Sequence, residues 1–152
     1  ALEKKITAYT DTIPLMETPL IDWLKREAPP RTTIAMGDCG AVPYHSRLET
    51  IDMLGLNDAF VARHSPAENA RYVVRERKPD LIVISGRGSG RGSLRSLFRL
   101  DQEILNLDDF WQHYEEVEVW KSSWSYDYHL FAGEEFRHRQ GFGSSEADRN
   151  AQ

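Results

Sequence analysis

The chain has 152 residues, a net charge of −5 and a single cysteine, Cys39. That length suits one domain with one sizeable core. The acidic balance excludes the overall basic footprint of a nucleic-acid binder, and the lone cysteine excludes an internal disulfide. Hydrophobic residues at 40% and charged residues at 28% match an ordinary globular composition, and no apolar run is long enough to span a bilayer.

In chain order, Leu2, Ile6 and Tyr9 stand at helical spacing and suggest a short leading helix. Thr18-Pro19 reads as N-cap and first helical position of a helix from Pro19 to Glu27, stopped by Pro29-Pro30. Thr32 to Met36 is a short β-prone run ending in Gly37-Asp38, and Arg47 to Met53 reads as a second strand closed by Gly55. Asn57-Asp58 and His64-Ser65-Pro66 mark loops. Ser65, Pro66 and Glu68 then form a capping-box pattern opening a helix to about Arg77, with Ala67, Ala70, Val73 and Val74 on its apolar face.

Leu81 to Ile84 is a continuous apolar run, the pattern of a strand covered on both faces. Gly86 to Gly92 (Gly-Arg-Gly-Ser-Gly-Arg-Gly) reads as a flexible loop, and Asp108 as the cap of a short helix over 109–114. Two further strands, 115–122 and 126–131, are joined through Ser123-Trp124-Ser125 as a tight hairpin. After Phe136 the sequence is polar and reads as a disordered tail. The sum is a small α/β domain of two or three layers, with parallel central strands (32–36, 47–53, 81–84) extended by an antiparallel hairpin (115–122, 126–131). The expected division is a leader (1–17), one domain (18–136) and a tail (137–152).

Polar residues gather where α/β folds place ligands, at the ends of strands. Asp38, Tyr44, Asp52, Asn57, Asp58 and His64 suit hydrogen bonding to sugar hydroxyls, ligation of a hard cation, or plain turn chemistry, and Trp124 adds a stacking face at the hairpin tip. Arg87, Arg91, Arg95 and Arg99 recur every four residues among Leu94, Leu97, Phe98 and Leu100. On a helix they would share a face suited to anionic headgroups or a lipid-linked phosphate. The glycine loop matches neither a P-loop nor a dinucleotide fingerprint. The histidines show no metal-ligand spacing, so neither a metal nor another cofactor is expected in this domain. Cys39 reads as a small core residue ahead of a thiol nucleophile.

The segments Asp38 to Ser46 (Asp-x-Gly-Ala-x-Pro-Tyr-x-Ser), Ile51 to Asp58 (Ile-Asp-Met-Leu-Gly-Leu-Asn-Asp), Ala62-Arg63-His64 and Lys78-Pro79-Asp80 before an apolar strand resemble the soluble C-terminal region of bacterial GT-C membrane glycosyltransferases. These are relatives of aminoarabinose transferase, protein O-mannosyltransferase and the arabinofuranosyltransferases. The resemblance covers about residues 18–131. It implies a domain on the extracytoplasmic, periplasmic face of the bacterial cytoplasmic membrane, with residues 1–17 following a last membrane span. Its implied partners are its own membrane-spanning portion, the membrane surface, a polyprenyl-phosphate-linked sugar and a glycan, lipid or protein acceptor. The catalytic carboxylate would lie in the membrane portion, where a divalent metal is also conceivable, so the domain would assist binding and be inactive alone. The residues leave two other readings open: a carbohydrate-binding or interaction module with no catalytic role, and a self-contained α/β enzyme.

Overall fold

The computed structural model describes residues 13–122 and 125–142. The leading helix expected around Leu2, Ile6 and Tyr9, the side chain of Trp124 and residues 143–152 lie outside them. Five strands are described: β1 (Thr33–Met36), β2 (Glu49–Asp52), β3 (Leu81–Gly86), β4 (Tyr114–Trp120) and β5 (Asp127–Gly133). They form one sheet in the order β2-β1-β3-β5-β4. β1 runs parallel to β2 and β3, and β5 runs antiparallel to β3 and β4. This is the α/β domain expected from the sequence, with its parallel trio and antiparallel extension.

Six α-helices cover the sheet: α1 (Thr18–Glu27), α2 (Ala41–Ser46), α3 (Pro66–Arg71), α4 (Arg99–Leu105), α5 (Asp108–His113) and α6 (Glu134–Gln140). The arrangement has three layers. α1, α2 and α6 supply Leu20, Leu24, Val42 and Phe136 to one face of the sheet, against Ile34, Leu81, Val83 and Leu130. α3, α4 and α5 supply Ala70, Ile104 and Phe110 to the other, against Ala35, Ile82, Ile84 and Phe131. Alternation along β3 sends Leu81 and Val83 one way and Ile82 and Ile84 the other, which is why that strand reads as an unbroken apolar run.

The Ser65 capping box is present: Glu68 N–H donates to Ser65 Oγ at 3.3 Å and Ser65 N–H donates to Glu68 Oε2 at 2.9 Å. Thr18 is not an N-cap, because the chain is already helical before it. A π-helical turn (Ile13–Glu17) runs directly into α1, and Met16 is buried. Asp108 likewise starts α5 without capping it; Leu107 occupies the cap position. The segment after Asp38, read as loop, forms the short helix α2. The chain is also ordered beyond Phe136, where a tail was expected. α6 continues to Gln140, and Phe142 returns to stack on Trp23 with ring centroids 5.8 Å apart. One buried Phe in the helix and one just after it are enough to hold an otherwise polar segment.

The glycine-arginine loop is closed rather than loose. Arg87 and Arg95 exchange both backbone hydrogen bonds at 2.8 Å. Only Arg99 of the four arginines lies in a helix, so the repeat of four does not build a helical face. Gly88 has φ +101, and a Cβ there would stand 2.2 Å from the Ser93 carbonyl oxygen; Gly92 has φ +87 with open space around it. Gly92→Ala should therefore cost about 1 kcal/mol of left-handed strain. Gly88→Ala should cost roughly twice that or more, because the loop must also open. Urea denaturation of the two variants checks the order, and equal costs would contradict the closed loop.

Candidate functional site

β1, β2 and β3 end at one edge of the sheet, and β5, being antiparallel, begins there. The segments following β1, β2 and β3 therefore converge on that edge, the position where α/β sheets hold ligands. The turn before α1 reaches the same edge, because α1 descends from it to the start of β1. Three of the four segments that carry the family resemblance (38–46, 51–58 and 62–64) begin or lie here. Lys78-Pro79-Asp80 lies at the opposite edge, before β3.

At the end of β1, Asp38 meets two groups that the sequence did not point to. Tyr128 Oη, from the second residue of β5, donates toward Asp38 Oδ2 at 3.4 Å. Burial first, then the Asp38 carboxylate, pushes the Glu17 carboxyl above its ordinary range. Burial first and Asp38 second hold the Tyr128 hydroxyl well above the usual phenol range. The neighbouring Cys39 thiol is pushed up to about 12, mainly by burial and then by Asp52, and it donates to the Met36 carbonyl at 3.1 Å. It is a thiol at neutral pH and no nucleophile.

Asp52, Asn57 and Asp58 build the loop after β2. Asp52 is buried and accepts the Leu54 N–H at 2.9 Å and the Asn57 N–H at 2.8 Å. Asp58 accepts the Phe60 and Val61 N–H groups at 3.0 and 3.1 Å and lies 3.6 Å from Arg77. Their acceptors serve turn geometry. Tyr44 is exposed and edges against His45.

His64 comes together with Arg99, which the sequence reading had assigned elsewhere. Both line a cavity of about 250 Å³ with Met53, Leu54, Asn69 and Asp101. His64 stacks on Phe60 at 3.8 Å, and its Nδ1 bonds the Phe60 carbonyl oxygen at 2.8 Å. Asn69 spends both amide hydrogens on the Val61 and His64 carbonyls, at 2.9 and 3.2 Å, and its buried Oδ1 has no partner among the described residues. Asp101 is buried and accepts the Ser85 N–H at 2.7 Å, just past the last β1–β3 pair. Burial pushes its carboxyl up to about 7. A larger cavity, about 360 Å³, lies at the opposite edge around Asp80 and Glu134. Asp80 there is committed to Thr33 and Arg139, and Tyr114 donates to the Pro79 carbonyl. Burial raises the Tyr114 hydroxyl in the larger cavity too, but that hydroxyl is already placed on Pro79; the smaller cavity holds the buried acceptor without a partner beside the raised carboxyl, which decides between the two.

The outer surface of the same edge is apolar and basic. Leu15, Tyr44, Leu54, Leu56, Leu97 and Phe98 are the exposed large hydrophobics among the described residues; Tyr44 stands in the short helix α2 and the others in turns and loops of this edge. Arg87 lies 4.0 Å from Asp127, Arg91 pairs with Asp108, and Arg99 has no carboxylate partner among the described residues. No group of three or more His, Cys, Asp or Glu side chains is arranged to hold a metal ion among those residues, and none of their helices is long and apolar enough to cross a membrane.

Glu17, Asn69, Asp101 and Tyr128 were missed because they sit inside regular elements. For two of them the sequence carries a signal. Asn69 shares a helical stripe with Ala70 and Val73, and Asp101 shares one with Ile104 and Leu105, so each is a polar group on a buried face.

Between its ordinary value and about 7, Asp101 holds a proton in the folded state that the unfolded chain has lost. It thus makes stability fall as pH rises through that window. Asp101→Asn keeps an acceptor for Ser85 and removes the titration. The variant should gain on the wild type by on the order of a few kcal/mol from about pH 4 to pH 7, with no further change above. Chemical denaturation across pH reads the difference, and a constant difference would contradict the buried carboxyl.

The family described as a domain of unknown function, DUF8728, matches residues 8–138. No curated protein matches the chain, and no solved structure does. The family match spans the whole sheet and all the helices described above but the last two residues of α6, and the chain belongs to the DUF8728 family of domains.

Proposed function

We propose that this domain is the extracytoplasmic part of a polytopic membrane glycosyltransferase that uses a polyprenyl-phosphate-linked sugar. In that role it sits on the periplasmic side of the bacterial cytoplasmic membrane and helps bind acceptor or carrier. It does not transfer sugar alone. The resemblance of the strand-end segments motivates the reading, and one structural observation carries it: the exposed large hydrophobics share a single edge with the arginine loop.

Leucines with arginines beside them suit the boundary between acyl chains and anionic headgroups. The chain's net charge of −5 would oppose a general attraction to such a surface, so the contact has to be local. Each arginine near an anionic surface contributes about 1 kcal/mol. The exposed pair Arg91–Asp108 is worth no more than about that, so headgroups compete with it on equal terms. Leu56 and Leu97, 83% and 86% exposed, contribute burial that no intramolecular contact already supplies. The membrane-spanning portion of the same enzyme would meet this edge too, with the polar pockets above it facing acceptor or carrier.

Vesicle flotation tests the reading. Phosphatidylcholine vesicles carrying phosphatidylglycerol and undecaprenyl phosphate should retain the protein, and retention should fall with salt. It should drop at least tenfold when Arg87, Arg91, Arg95 and Arg99 are changed to Ala, and also in a Leu56→Ser, Leu97→Ser variant. No retention, or retention indifferent to both variants, would overturn the proposal.

A further inference from the structure

We infer that the cavity walled by His64, Asn69, Arg99 and Asp101 is a binding site for a monosaccharide monophosphate, its ring hydroxyls donating to Asn69 and Asp101 and its phosphate resting on Arg99. Three features of the cavity carry this. The first is a demand for donors. Asn69 is 4% exposed, both its amide hydrogens are already placed on backbone carbonyls, and its Oδ1 is left without a donor. A buried acceptor in a native fold is normally satisfied, so a ligand hydroxyl fits where no described residue offers a donor. Asp101, 3% exposed in the same wall, accepts one backbone N–H, and a carboxyl has room for further donors. His64 directs its Nδ1 to a carbonyl, which leaves Nε2 of the neutral ring as another acceptor.

The second feature is charge. Arg99 stands exposed in the cavity wall with no carboxylate partner among the described residues, and a guanidinium matches phosphate geometry. The third is size and shape. Pockets for drug-sized ligands start at about 300 Å³; this one holds about 250 Å³, which suits a single ring. Met53, Leu54, Val61 and Leu100 give it an apolar wall for the C–H face of a sugar. Neutral polyols lack a group for Arg99, and inorganic phosphate lacks the ring whose C–H face the apolar wall would take.

The inference stands on the cavity and goes beyond the membrane reading. Its test contains no lipid, so either can fail without the other. The 152-residue chain is titrated with glucose 1-phosphate and with mannose 1-phosphate, and separately with glucose and inorganic phosphate, while amide resonances are followed by NMR. Saturable shifts are expected at the Asn69 side-chain amide and at residues 99–101 with a sugar phosphate, at least tenfold weaker for glucose or phosphate alone. Arg99→Ala, an exposed position whose loss leaves the core intact, should weaken sugar-phosphate binding at least tenfold. No saturable shift with either sugar phosphate would overturn the site. So would binding unchanged in Arg99→Ala, or inorganic phosphate binding as tightly as the sugar phosphates.

Discussion

Parallel neighbours cannot be joined by a hairpin, and the rest of this structure depends on that constraint. β1, β2 and β3 each need a crossover, which spends chain on helices and places those helices on both faces of the sheet. The same geometry delivers three strand ends, and the loops that follow them, to one edge. β3 and β4, parallel with β5 between them, are joined by a crossover that carries α4 and α5, and β5, antiparallel to both, brings Asp127 and Tyr128 to that edge as well. Distant parts of the sequence, from Glu17 to Tyr128, become neighbours because of how strands connect.

At that edge the polar groups divide by what they are used for. Asp52 and Asp58 are consumed by backbone N–H groups and shape the loop after β2. Cys39 is held as a thiol by burial. Asp38 accepts from Tyr128, and its charge with burial raises the Glu17 carboxyl. Among the described residues the Asn69 oxygen, the Arg99 guanidinium and the spare acceptor capacity of Asp101 stand around one cavity, while the other buried atom without a partner, His129 Nε2, lies away from it in β5. An unsatisfied buried polar group costs about 1–3 kcal/mol, a large fraction of a domain's net stability, so its retention is better explained by a ligand than by the fold.

The strands were legible because their signals are local. An unbroken Leu-Ile-Val-Ile run announces a strand covered twice, and alternation around Val117 and Val119 announces an edge strand with one face in water. The Ser65 box was legible because capping needs only four neighbouring residues. What escaped were segments whose order comes from distant partners. α6 and Phe142 are held by Trp23, more than a hundred positions away in sequence, and nothing local marks 137–142 as folded. The arginine repeat misled for the converse reason: a period of four looks helical, but Gly88, Gly90 and Gly92 with positive φ wrap it into a closed loop. For the site, His64 and Arg99 were visible singly and their meeting was not, since only the packing of α3 against α4 brings them to one cavity.

The account's central claim is that the strand-end edge is the working face and is turned toward the membrane. Nitroxide labels at positions 56 and 97, compared with labels at positions 31 and 78 on the opposite edge, test it most directly when the protein is bound to nanodiscs of anionic lipid with undecaprenyl phosphate. The account predicts high accessibility to oxygen, the lipid-soluble relaxant, at 56 and 97, and high accessibility to the water-soluble nickel relaxant at 31 and 78. The reverse pattern, or water accessibility at all four positions, would contradict it.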